Sequence, residues 1–117
     1  MNRYKLTKAG VDVNEGLKRL DNDKDFYEEL LEKFCNDSHY AELKRAMERE
    51  DTELAFKEAH ALKGMAGNLS CTRLYSAMVP FVDQLRNHEL EGASAMFPEV
   101  SEAYCAVMEA MGHEITE

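Results

Sequence analysis

The sequence is poor in everything that favours a sheet or a scaffold held by cross-links. It has no tryptophan, two prolines and a single isoleucine, Ile115, and no stretch alternates apolar and polar residues with a period of two, which excludes strands as the main element. Its three cysteines, Cys35, Cys71 and Cys105, are widely spaced and form no CxxC pair. That excludes a disulfide framework or a zinc cluster and predicts a reduced, intracellular chain. Positive charge is scarce, 14 Lys plus Arg against 23 Asp plus Glu for a net charge of -9, which argues against non-specific binding to nucleic acid. No apolar run approaches the about 20 residues that span a bilayer, and "MNRYKLTKAG" lacks the apolar core of a signal peptide. Neither GxxxxGK[ST], GxGxxG nor GxSxG occurs, so no ATP site or hydrolase centre is expected and the chain should not phosphorylate itself.

Apolar residues instead recur at steps of three and four almost throughout. "VDVNEGLKRL" offers Asp12 as an N-cap with Glu15 three residues on, a capping-box arrangement, and Val13, Leu17 and Leu20 as its stripe. "DND" at 21 to 23 ends this short helix. "KDFYEELLEKF" carries Tyr27, Leu30, Leu31 and Phe34 on one face, and "NDS" at 36 to 38 supplies a turn and a cap. "HYAELKRAMERE" spaces Tyr40, Leu43 and Met47 in the same way. Asp51 and Thr52 are the next cap candidates, for a helix from about 52 to 69 with Ala55, Ala59, Leu62, Met65, Ala66 and Leu69 inward. Leu74, Met78, Phe81 and Leu85 form the seam of the next helix, kinked at Pro80. Phe97, Val100, Tyr104, Val107 and Met111 mark the last, with Pro98 as a second kink and "GHEITE" as a frayed end.

Connections are short and no Gly- or Ser-rich linker, repeat or low-complexity stretch divides the chain. The prediction is a single all-α domain over 1–117, core about 11–112: an antiparallel up-and-down bundle of four main helices with one or two short N-terminal ones.

One helix carries an anomaly. "EAHALKGMAGNLS", residues 58 to 70, places His60, Lys63, Gly64 and Gly67 inside a helix, although each interior glycine costs roughly 1 kcal/mol. Three- and four-residue steps put Phe56, Lys57, His60, Lys63, Gly64 and Gly67 on one outward face. Glycines there clear the approach to the imidazole for another macromolecule, and Lys63 offers a positive charge to an anion on the ring. An exposed imidazole is mostly neutral at cytosolic pH, leaving one ring nitrogen as a nucleophile, and histidine forms covalent intermediates. A lone histidine on a bundle helix is ordinarily a plain surface residue; the two glycines are what that simpler account leaves unexplained.

"HALKGMAGNLS" resembles the signature of histidine-containing phosphotransfer (HPt) domains: a histidine, an apolar residue at +2, Lys-Gly at +3 and +4, and usually a glycine at +10. His60, Leu62, Lys63 and Gly64 match, and "VDVNEGLKRLDNDKDFYEELLEKF" is similar to the usual N-terminal part. Ser70 stands at +10 in place of glycine, and Val82 stands at +22, where the family often places an amide or acidic side chain against the imidazole. The resemblance implies a phosphocarrier in a two-component phosphorelay, with His60 as the phosphohistidine and Lys57, Lys63, Phe56, Gly64 and Gly67 around the phosphate or partner. It implies a receiver domain of a response regulator or a hybrid sensor histidine kinase as partner, Mg²⁺ on that receiver and no cofactor here. A cytoplasmic monomer without contact to nucleic acid or membrane is expected, and the initial Met and short ends favour a stand-alone protein.

A helical adaptor that docks a receiver or kinase through the same face without carrying phosphate remains the alternative. Cys35 and His39 are too poorly supported by further ligands to hold a metal. No set of inward carboxylates with a Glu-x-x-His pair suggests a bundle metalloenzyme. His88 and His113 read as isolated and solvent-facing, and the methionines, Met47, Met65, Met78 and Met108 among them, as core fillers.

Overall fold

The computed structural model describes residues 1–113, so most of the expected frayed end lies outside the described residues. Seven helices and no strand occur among the described residues: α1 Arg3–Lys8, α2 Val13–Arg19, α3 Lys24–Cys35, α4 His39–Glu48, α5 Thr52–Asn68, α6 Thr72–Arg86 and α7 Leu90–Ala110. The chain is therefore all-α, as its periodicity predicts. α1 was not expected: "RYKLTK" is capped by the Asn2 side chain, which accepts from the Lys5 amide at 3.0 Å, and buries only Leu6.

Helix starts follow local chemistry. Asp12, Asp23 and Asp51 each accept from the backbone amide three residues on, at 3.1, 3.0 and 3.1 Å, which satisfies a donor that has no partner within the helix. The capping box at Asp12 forms by half. The Asp12 amide donates to the Ser70 carbonyl at 2.8 Å, and the Glu15 carboxylate accepts from the Ser70 hydroxyl and from Arg19. Tertiary partners have taken both halves of the return bond.

α4, α5, α6 and α7 each pack on the next in the chain, forming the four-helix bundle. The inward stripes read from the sequence build the core: Ala55, Ala59, Leu62 and Ala66 of α5, Leu69 just past its end, and Leu74, Met78, Phe81 and Leu85 of α6 are all buried, whereas Leu20, Leu30, Met47, Met65, Phe97 and Met111 pack half-buried at its edge. Small residues on α5 let its neighbours approach closely. An aromatic column ties the helices together, with Tyr40 stacked on Tyr104 at 4.0 Å, Phe34 edge-on to Tyr104 at 5.8 Å and Phe81 against Phe97 at 5.7 Å. α6 and α7 run on through Pro80 and Pro98, the expected kink sites. Both prolines are exposed, as are Ser76 and Ser94 four residues before them, so water reaches the carbonyls whose helix bonds are lost. No described helix is long and apolar enough to cross a membrane.

Candidate functional site

The buried stripe of α5 fixes what its other face must do. With Ala55, Ala59, Leu62 and Ala66 inside, His60, Lys57 and Gly64 are exposed and Phe56, Lys63 and Gly67 half-buried, so all six residues singled out in the sequence share one outward face. Among the described residues, neither His60 nor Lys57 nor Lys63 has a hydrogen-bond or ion-pair partner. The imidazole has one close neighbour of note, the Phe56 ring one turn back, at 5.7 Å between centroids and tilted by 32°.

The two glycines differ. A Cβ on Gly64 would meet nothing within 4 Å, so the surface one turn beyond His60 is open. A Cβ on Gly67 would lie 3.1 Å from the Tyr75 ring of α6. Gly67 is thus covered from within the molecule: its missing side chain lets the Tyr75 ring come close to α5, and the approach it was expected to clear is filled.

The antiparallel register of α5 and α6 follows from two contacts. The Arg86 guanidinium sits over the Phe56 ring at 5.5 Å, and Tyr75 lies against Gly67. That register brings Val82 level with His60 and Val79 level with Lys63. Val82 is 0% exposed, so the side chain at this level belongs to the core and gives the imidazole no polar atom. Its neighbours do not substitute. Asp83 is paired with Arg86, and the Gln84 carboxamide lies against Gly92 of α7.

Sequence reasoning missed the outer side of α6. Tyr75 and Val79, one turn apart, are 40% and 37% exposed, an apolar strip alongside Gly67 and Lys63. Apolar residues at i and i+4 outside the inward seam were the available signal. A groove of about 510 Å³ runs beside the strip from Lys63 and Gly64 to Ser70, walled by Glu15, Arg19 and Tyr75.

Ser70 explains the glycine usual at this position. Its φ is +57°, the left-handed conformation that follows a helix C-terminus and favours glycine. Here the serine is buried, and its hydroxyl donates to Glu15 at 3.0 Å.

The remaining titratable groups sit elsewhere. His39 pairs with Glu58 rather than with Cys35, Nδ1 to Oε2 at 2.5 Å. His113, expected to face solvent alone, is half-buried in the turn after α7 with Nε2 3.0 Å from Glu32 of α3. His88 is exposed at the turn after α6. Burial, with some help from Glu32, pushes the Cys35 thiol up to about 11, and burial, then Cys35, pushes Cys71 up to about 12; neither is a thiolate nucleophile at neutral pH. No group of three or more His, Cys, Asp or Glu side chains among the described residues is placed to hold a metal ion.

The fold and site define a helical bundle that presents one unpartnered histidine beside an open glycine and two free lysines. The family model for the Hpt domain matches residues 29–112, and the chain belongs to the Hpt domain family. Comparison with curated proteins and with solved structures gives no match. Hpt domains are phosphocarrier modules of two-component phosphorelays and not kinases, and their partners are response regulators or kinases.

Proposed function

We propose that this domain is a phosphorelay carrier that passes a phosphoryl group through His60 to or from an aspartate of a receiver domain. The observation that carries the reading is His60 itself: exposed, without a hydrogen-bonded partner, at the motif position of the family, between Lys57 and Lys63 and one turn from the open Gly64.

In the forward step the lone pair of a His60 ring nitrogen attacks the phosphorus of the receiver's aspartyl phosphate. The N–P bond forms as the P–O bond to the aspartate breaks, the carboxylate leaves, and the ring proton goes to solvent. Lys63 and Lys57 offset the phosphoryl charge, and positioning with electrostatics supplies most of the acceleration. Mg²⁺ belongs to the receiver, and the bundle adds no cofactor and no ATP-dependent kinase activity of its own. Gly64, Tyr75 and Val79 form the surface on which the receiver rests; the domain works as a cytoplasmic monomer.

The test is to incubate the protein with a panel of phosphorylated receivers and follow acid-labile label. Wild type should take up label that His60→Ala does not. Equal label in the two proteins across the panel overturns the reading, and receiver binding that survives His60→Gln without any transfer favours an adaptor that docks through the same face.

A further inference from the structure

A histidine that acts in chemistry is commonly oriented by a hydrogen bond at one ring nitrogen. His60 has none. The level of α6 that faces it holds buried Val82, and the polar residues beside Val82 are turned to Arg86 and Gly92. What does touch the ring is aromatic. Phe56, one turn back on α5, lies 5.7 Å from the imidazole at a 32° tilt, and Arg86 of α6 lies over the same phenyl ring at 5.5 Å. Arg86 is in turn paired with Asp83 one turn back on α6, and Phe56 packs against the core.

We propose that Phe56, clamped by Arg86, is the positioning residue for His60, setting the plane of the imidazole by ring contact where a hydrogen bond is absent. The proposal rests on His60 as the phosphate carrier. The chain of contacts Asp83, Arg86, Phe56, His60 crosses from α6 to α5, so the ring orientation is tied to the packing of both helices. An aromatic contact of this type fixes the plane of the imidazole and leaves both ring nitrogens unblocked, so the nitrogen that faces the partner stays available as a nucleophile. Phe56 touches no reacting atom, and its effect is on how often the ring is presented correctly.

The measurement is single-turnover transfer from a phosphorylated receiver that labels His60, over a range of receiver concentration, with Phe56→Leu, Phe56→Tyr and Arg86→Gln. Phe56→Leu should lower the saturating rate roughly three- to ten-fold, the size of an aromatic pair contribution, and leave half-saturation within about two-fold. Phe56→Tyr should recover most of the rate, and Arg86→Gln should fall between. The His60 ring protons of the free protein should carry an upfield ring-current shift in the NMR spectrum that Phe56→Leu abolishes. A saturating rate unchanged in both Phe56→Leu and Arg86→Gln, or an effect confined to half-saturation, overturns the proposal; if Phe56→Leu does not fold, Arg86→Gln decides. Should no receiver label wild type beyond His60→Ala, the carrier reading falls and the positioning role with it, while a retained ring-current shift shows that the ring contact itself was described correctly.

Discussion

Gly64 and Gly67 stand three residues apart on one helix face, and their missing side chains serve different ends. At Gly64 nothing lies within 4 Å of a new Cβ, whereas at Gly67 Tyr75 lies at 3.1 Å. Alanine is worth about 1 kcal/mol over glycine in a helix interior, so Gly64→Ala should raise the unfolding free energy by most of that amount. Gly67→Ala should gain clearly less, because the Tyr75 ring must shift by a few tenths of an ångström. Urea denaturation of the two variants checks the ranking, and equal gains would remove the packing role given to Gly67. The sequence marks both glycines as anomalous. It does not tell them apart, since the residue that covers one of them sits on another helix.

At the scale of the element, the inward stripes and the caps at Asp12 and Asp51 were legible, and the turns that close the helices were not. The helix placed at about 52 to 69 is Thr52–Asn68, because one buried alanine and leucine face specifies it residue by residue. Its sisters end in a common way that no stripe records. After α4, α5 and α6 the backbone turns left-handed at Glu50, Ser70 and His88, with φ near +57° at each. The following amide then reaches back to a carbonyl of the last turn: Asp51 to Ala46 at 2.9 Å, Cys71 to Ala66 at 2.9 Å and Glu89 to Gln84 at 2.8 Å. This satisfies carbonyls that the helix leaves open, and glycine is the residue that adopts the turn without strain. Glu50 and His88 are both exposed, and among the described residues neither side chain has a hydrogen-bond or ion-pair partner to lose. Glu50→Gly and His88→Gly should each stabilise the fold by roughly 0.5–1 kcal/mol, read as a higher denaturation midpoint. Lower midpoints for both would mean that the turns are not strained.

Over the whole molecule, the N-terminal helices hold the turn on which the site depends. Arg19 donates to the Gly67 carbonyl at 2.8 Å, the Tyr27 hydroxyl to the Leu69 carbonyl at 2.7 Å, and Thr72 to the Gly10 carbonyl at 2.9 Å. All three partners from the N-terminal part precede residue 29, where the family match begins. These bonds were illegible because each joins a side chain to a backbone group 42 to 62 residues away, and no local period reports such a pairing. Under this turn lies Cys71, buried, its thiol moved from 9.0 to about 12 by burial and then by Cys35. The folded chain therefore keeps a proton that the unfolded chain releases near pH 9. The stability tied to this thiol is complete below that pH and is lost as pH rises toward 12. Tyr27, whose hydroxyl is also raised by burial, acts in the same direction from about pH 10 upward. Cys71→Ala removes the first of these groups and leaves a small cavity. It should be less stable than wild type at pH 8, and the difference should shrink by up to about 1.4 kcal/mol per pH unit between pH 9.5 and 10.5. Urea denaturation at the three pH values measures that difference, and a constant gap would show that the folded thiol titrates as it does in the unfolded chain.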